Sequence, residues 1–146
     1  MIKKSKKGFT IIELIVVIAI IAILAAIVLA NVTTYINKAK DARIQSDMGS
    51  IAAGVGSCYG INASNGGATY SGCSTDPTYI PTTLTSDIST QNGGTAIEIG
   101  ESSTQYCDAA KLNSGKWVCV DYTGVTKIEA ADPVCKSTAP IVTACP

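Results

Sequence analysis

The chain has 146 residues, 47% of them hydrophobic, and its 11 basic and 11 acidic side chains balance. Four lysines precede Gly8, so the rest of the chain carries seven basic and 11 acidic residues, a formal charge of −4. This mildly acidic body argues against a nucleic-acid-binding domain built on a basic surface. The absence of histidine excludes Cys₂His₂ zinc sites and histidine acid–base catalysis.

A short cationic segment opens the chain and an apolar stretch follows it. No charged side chain occurs in residues 14–37, a run of 24 residues. As an α-helix this run is about 36 Å long, enough to cross a hydrocarbon core of roughly 30 Å. The preceding lysines predict that the N-terminus stays in the cytoplasm and that the C-terminal part is exported.

A cleaved secretory signal peptide and a plain signal anchor share this cationic-then-apolar pattern. An ordinary signal peptide has an apolar core of about 7–15 residues with the small-residue cut site beyond it. Here the run is longer, and the small residue Gly8 precedes it. A plain anchor does not account for Glu13, because a carboxylate within a membrane helix costs free energy and needs a compensating partner.

Two arrangements would compensate Glu13. Thr10 and Glu13 have the spacing of a capping box, and the dipole of a helix N-terminus also favours a carboxylate. A cut after Gly8 would instead create a positive α-amine on Phe9, which could neutralise Glu13 of the same or a neighbouring chain in a low dielectric. Both can hold at once, because capping leaves the carboxylate charged.

Residues 7–13 read KGFTIIE and lead into an apolar helix. This segment resembles the class III signal of type IV pilins and type II secretion pseudopilins, closely over residues 7–30. The resemblance implies that prepilin peptidase cuts between Gly8 and Phe9 and methylates Phe9. It assigns Glu13 and Thr10 to assembly, with Glu13 pairing with the N-terminus of an adjacent subunit.

The resemblance also implies a homopolymer filament that serves adhesion, motility or DNA uptake and includes other pilins. An assembly ATPase and a platform membrane protein would build it. The precursor would lie in the inner or cytoplasmic membrane, and the assembled protein would be an extracellular or cell-surface pilus. We expect no enzyme activity, cofactor, metal or direct nucleic-acid binding. A minor pilin, a type II secretion pseudopilin and a solitary membrane-anchored surface protein stay open as alternatives.

The apolar helix carries a stripe of small residues at helical spacing. The stripe would let helices approach closely in an apolar setting, although alanine is equally a good helix former. Many members of the resembled family have a proline at the position of Ala30 and a glycine near the position of Ala22. Without either residue, a continuous helix is predicted. The stripe consists of Ala19, Ala22, Ala26 and Ala30.

The predicted domains are a cleaved leader at 1–8, a transmembrane and filament-core helix at 9–35, an amphipathic helix at 36–56 and a β-rich head at 57–146. The amphipathic helix would pack on a sheet, and Gly54 or Gly56 would end it. Its apolar face comprises Ile44, Met48, Ile51 and Val55. Its polar surface comprises Lys38, Lys40, Asp41, Arg43 and Asp47.

The head is predicted to have short strands at 95–99, 106–112, 116–122 and 125–130, with a hairpin turn at 113–115. Val118, Val120 and Tyr122 would share one face of the third strand, with Trp117, Cys119 and Asp121 on the other. Residues 77–89 are a mixed stretch without an assigned element. The expected fold class is therefore α+β, a long N-terminal helix on an antiparallel sheet with disulfides, in agreement with the pilin architecture that the resemblance implies.

Six cysteines follow the apolar run, and an even number in an exported, loop-rich segment indicates disulfides. A Cys₄ metal site is the alternative, but the chain has no C-x₂-C pair. Six cysteines allow 15 pairings. We expect the nearest neighbours to pair, since Cys107 and Cys119 have compatible parity in the hairpin and a C-terminal loop closed by a disulfide is similar to that of many pilins. The expected pairs are Cys58–Cys73, Cys107–Cys119 and Cys135–Cys145.

Overall fold

The computed structural model describes residues 8–64, 66–135 and 145, and it has two compact units, Met1–Ile36 and Asn37–Pro146. Residues 1–7, most of the predicted leader, lie outside the described residues. Helix α1 contributes to both units. The elements are α1 (Ile11–Ser64), α2 (Thr82–Gln91), β1 (Glu98–Glu101), β2 (Tyr106–Lys111), β3 (Trp117–Asp121) and β4 (Thr126–Glu129).

In the first unit, α1 has a long exposed apolar surface. Every side chain from residue 8 to residue 29 is exposed, and the large apolar ones range from 47% exposed at Val17 to 87% at Phe9. Among the described residues, α1 is the one helix long and apolar enough to span a membrane. It is helical through positions 22 and 30, as the absence of glycine and proline predicts. So much apolar surface requires lipid or other chains to cover it.

The second unit packs the amphipathic part of α1 on an antiparallel sheet in the order β1-β2-β3-β4. Consecutive strands are hydrogen-bonded neighbours, so the sheet is a meander. The predicted apolar face of α1 is fully buried. It packs with Val118 and Val120, which share one face of β3 as predicted, whereas Tyr122 lies beyond the end of the strand. The predicted fold class is confirmed.

Helix α1 does not end at Gly54 or Gly56 but continues to Ser64. A Cβ at Gly54 would clash with the carbonyl oxygen of Tyr79 and would lie 2.6 Å from Cδ1 of Ile80. Gly54 therefore lets another segment approach the helix closely instead of ending it. The last turns are held by the Cys58–Cys73 disulfide.

Helix α2 lies where no element was assigned. Its sequence, TTLTSDISTQ, is rich in Thr and Ser, which are weak helix formers. Tertiary contacts stabilise it, since Ile88 is fully buried and Asp87 forms an ion pair with Arg43 of α1 at 2.5 Å. Pro81 occupies the N-cap and forms no side-chain capping hydrogen bond, so local sequence gives this helix little support.

Asp41 was assigned to the polar surface of α1, and this prediction is wrong. The side chain is buried, and its Oδ1 accepts hydrogen bonds from the backbone N and Nδ2 of Asn113 at 2.6 and 3.0 Å. Its Oδ2 accepts a hydrogen bond from the backbone N of Ser114 at 3.1 Å. Asp41 thus ties the turn between β2 and β3 to the helix.

Candidate processing and assembly site

The N-terminus of α1 is closed by hydrogen bonds between Thr10 and Glu13. Oε2 of Glu13 accepts hydrogen bonds from the backbone N of Thr10 at 2.8 Å and from its Oγ1 at 2.9 Å. The backbone N of Glu13 donates to Oγ1 of Thr10 at 3.3 Å. This reciprocal pattern is the capping box expected from the sequence, and it explains why the helix begins at Ile11.

The capping box does not neutralise Glu13, because both bonds to its carboxylate come from uncharged donors. Thr10 and Glu13 would both remain in a chain cut between Gly8 and Phe9, so the cap would survive processing. The new α-amine would then lie on the residue directly before the cap. The ammonium group on Phe9 would then be near the carboxylate of Glu13, on the same chain or on a neighbouring one.

Gly8 has no packing role among the described residues. A Cβ at this position would meet nothing within 4 Å, and the backbone does not have the positive φ that favours glycine. Gly8 and Phe9 are both exposed, so the bond between them is accessible. If a small residue is required at position 8, the requirement comes from a partner that binds this segment.

The small-residue stripe lies on the exposed part of α1. Ala19, Ala22 and Ala26 are exposed in the isolated chain, and the side chain of Ala30 is outside the described residues. Ala19, Ala22 and Ala26 are therefore available for contacts with other chains. Close helix packing through these alanines stays a prediction that only other chains can satisfy.

A family model described as the prokaryotic N-terminal methylation motif matches residues 3–29. This motif is the class III signal of type IV pilins. The match includes Gly8, Phe9, Thr10 and Glu13 and most of the apolar stretch, and it supports a type IV pilin-like or pseudopilin precursor. Comparison of the chain with curated proteins and with solved structures finds no match.

The pilin motif carries general implications that agree with the geometry of the first unit. It implies processing by prepilin peptidase and incorporation into a pilin filament. The apolar exposed helix fits a membrane-anchored precursor that becomes part of a surface pilus. All six cysteines and the whole sheet lie outside the matched residues.

Of the three predicted disulfides, one is present. Cys58–Cys73 is present, but the predicted Cys107–Cys119 and Cys135–Cys145 bonds are wrong. In the register of β2 and β3, Cys107 lies opposite Asp121 and Cys119 lies opposite Ala109, so the two cysteines are diagonal on one face instead of directly paired. Each is bonded to a cysteine that follows the sheet. The observed pairs are Cys58–Cys73, Cys107–Cys135 and Cys119–Cys145.

Asp108 is a buried carboxylate that sequence analysis missed. Asp108 is two residues from Tyr106 and two from Ala110, so its side chain shares their face of β2, the sheet face that packs on α1. Oγ of Ser74 donates a hydrogen bond to its Oδ2 at 2.9 Å, and Oδ1 has no partner among the described residues. Burial raises the pKa of Asp108 to about 7, and the nearby charge of Glu101 acts in the same direction.

Proposed function

We propose that this chain is a structural subunit of a type IV pilus, cut between Gly8 and Phe9 and polymerised through its N-terminal helix. The supporting observation is the exposed apolar surface of α1, with a capped but charged Glu13 at its N-terminal end. A helix that lies in lipid and later in a filament core needs such a surface. A helix of a solitary anchor does not need the carboxylate.

Polymerisation exchanges one apolar environment for another. Residues 11–36 of α1 are about 39 Å long, which spans a hydrocarbon core before assembly. Lipid tails and neighbouring apolar helices solvate this surface about equally well, so apolar burial alone does not fix how two subunits align. A buried carboxylate fixes the alignment, because it is strongly destabilising unless a cation lies beside it.

The cation in this proposal is the methylated α-amine of Phe9 on a neighbouring subunit. The lysine leader stays on the cytoplasmic side and is removed by prepilin peptidase. An assembly ATPase and a platform membrane protein then move the processed subunit from the membrane into the filament. The exported head forms the filament surface, where adhesion, motility or DNA uptake would take place.

N-terminal analysis of filaments sheared from cells tests the proposal. We expect this chain as the main component, with methylated Phe9 as its first residue. A Gly8→Phe variant should keep the leader and have the mass of the uncut chain, because a bulky side chain at position 8 would block the peptidase. Misfolding would not explain that result, since nothing in the fold requires glycine at position 8. Full-length chain found only as single molecules with the lysine leader would overturn the proposal. Trace amounts in filaments built from another subunit would instead indicate a minor pilin or a pseudopilin.

A further inference from the structure

Two of the disulfides are in direct contact on the sheet face opposite α1. Sγ of Cys119 lies 3.5 Å from Sγ of Cys107 and 3.9 Å from Sγ of Cys135, so it touches both sulfurs of the other disulfide. The Sγ atoms of Cys107, Cys119 and Cys145 all lie within 4.8 Å of one another. The four cysteines are buried and form a small cluster with Ala109 and Trp117.

The third disulfide offers an internal contrast. Cys58 and Cys73 belong to the main core on the other side of the sheet. Their recorded polar neighbours are Nδ2 of Asn62, at 3.6 and 3.7 Å from the two sulfurs, and the carbonyl oxygen of Thr69. No other disulfide contacts this pair within the described part of the chain.

We propose that Cys107, Cys119, Cys135 and Cys145 act as one thiol–disulfide exchange site. A small thiolate attacks Sγ of Cys145, forms a mixed disulfide there and releases Cys119 as a thiolate. The Cys119 thiolate then attacks Sγ of Cys107, which forms a Cys107–Cys119 bond and releases Cys135 as a thiolate. Each step forms one S–S bond and breaks one, so the second step needs no oxidant or reductant.

The entry point follows from exposure. Cys145 is the most exposed of the four, at 7%, whereas Cys107 and Cys119 are fully buried. Cys145 is therefore the proposed entry point for a thiol from solution. Attack on Sγ of Cys145 leaves the new thiolate on Cys119, whose Sγ already contacts the Cys107–Cys135 disulfide.

Charged side chains beside the cysteines also favour release of Cys119 as the thiolate. Lys127 lies directly opposite Cys119 in the register of β3 and β4, and its Nζ donates to the carbonyl oxygen of Cys145 at 3.3 Å. Asp121 lies opposite Cys107 and accepts a hydrogen bond from the backbone N of Cys145. An ammonium group stabilises a neighbouring thiolate and a carboxylate destabilises it. Lys127, directly across from Cys119, therefore favours a thiolate there, and Asp121, directly across from Cys107, disfavours one on Cys107.

These charges predict which sulfur is attacked. Attack of Cys119 on Cys135 would leave the negative charge on Cys107, beside Asp121. Sγ of Cys119 lies beside the Cys107–Cys135 bond and nearer to Cys107, so once released from Cys145 it has to turn into line with that bond before it attacks Cys107. This attack leaves the charge on Cys135. The expected product joins β2 to β3 and releases the link between β2 and Cys135.

A Cys145→Ser variant of the full chain in detergent tests the exchange step directly. The variant leaves Cys119 as a thiol beside an intact disulfide. After incubation at pH 8, acid quench and alkylation, trypsin separates the four positions by cutting after Lys111, Lys116, Lys127 and Lys136. A second protease that cuts after Glu98 and Glu101 separates Cys107 from Cys58 and Cys73. We expect a second linkage isomer that contains Cys107–Cys119 and alkylated Cys135.

The matched control is Cys73→Ser, which leaves Cys58 as a thiol that has no disulfide beside it. Here only Cys58 should be alkylated, and the other two disulfides should stay native. Three outcomes for the Cys145→Ser variant would overturn the proposal: alkylation of Cys119 alone, a Cys119–Cys135 bond with alkylated Cys107, or a bond from Cys119 to Cys58 or Cys73. The last would indicate exchange in an unfolded chain.

An experiment on the unsubstituted chain avoids any folding defect of the variants. Treatment with a limiting amount of reduced glutathione should place glutathione on Cys145 and produce the Cys107–Cys119 bond with alkylated Cys135. Glutathione on Cys145 together with alkylated Cys119 and an intact Cys107–Cys135 bond would show that the contact does not support exchange.

Discussion

The two units of this protein depend on different kinds of information. In Met1–Ile36 the side chains of residues 8–29 are exposed, and the informative residues lie within six positions of each other at the start of α1. In Asn37–Pro146 the helix, the sheet and the disulfides fix one another through contacts between residues far apart in sequence. A local motif is sufficient for the first unit, whereas only tertiary structure explains the second.

This difference also separates the effects expected from substitutions. A change in the first unit should leave the folding of the head unaffected and should appear in processing, in the N-terminal helix itself or in assembly. A change in the second unit should appear in the stability of the isolated chain. Substitutions that reversed this division would show that the two units are energetically coupled.

The largest effect is expected from Glu13→Gln. The amide oxygen of glutamine can still accept the hydrogen bonds from Thr10, so the cap is retained while the charge is removed. If the charge aligns neighbouring subunits, processing stays intact and sheared filaments are reduced to a small fraction of the unsubstituted amount. Filament yield by immunoblot and mature mass by mass spectrometry measure the two effects separately.

The control for this variant is Thr10→Val, which removes the hydroxyl of the cap but retains the charge. It should assemble nearly normally, with a loss of helix stability of about 0.5–2 kcal/mol. Normal filaments from Glu13→Gln together with few filaments from Thr10→Val would assign assembly to the capping box instead of to the charge.

An intermediate effect is expected from Gly54→Ala in the second unit. The new methyl group would clash with the carbonyl oxygen of Tyr79, so the head should lose about 1–3 kcal/mol of stability. Gly56→Ala is the matched control, because Gly56 is helical and a Cβ there meets nothing within 4 Å. It should gain up to about 1 kcal/mol, since alanine is the better helix former. Denaturant unfolding compares the two, and equal midpoints would contradict the close approach at Gly54.

The same pair of glycines shows what could be predicted from the sequence. The methylation motif, the apolar face of α1 and three of the strands depend on local patterns, and each was predicted close to its observed position. The end of the helix was not, because a glycine that ends a helix and one that admits a neighbouring segment look alike in sequence. Gly54 can be understood only once Tyr79 and Ile80 are placed against it.

The remaining errors have a similar origin. Helix α2 consists of weak helix formers and depends on contacts such as Arg43 with Asp87, which are 44 positions apart. The disulfide pairing depends on segments outside the hairpin, since Cys107 and Cys119 are diagonal in the register and each is bonded to a cysteine that follows the sheet. Asp41 looked like a surface residue because its partners lie about 70 residues later in the chain.

At Asp108 the expected effect is a dependence of stability on pH. Because the pKa of Asp108 is raised to about 7 in the fold, from about 3.9 in an unfolded chain, the protonated carboxyl stabilises the head below pH 4. This contribution is lost as the pH rises through 7. Asp108→Asn is neutral at every pH, so the fall in its denaturation midpoint between pH 4 and 7 should be smaller than that of the unsubstituted chain. At pH 4 the two midpoints should be close.

Ser74→Ala sharpens this prediction, because it removes the one hydrogen bond that favours the charged carboxylate. The loss of stability should therefore be greater at pH 7 than at pH 4, by up to about 1–3 kcal/mol for a bond to a charged group. If the unsubstituted chain and Asp108→Asn have parallel midpoints from pH 4 to 7, Asp108 is already ionised in the fold. The carboxylate would then need a partner for Oδ1, and the core between α1 and the sheet would have to admit water at that atom.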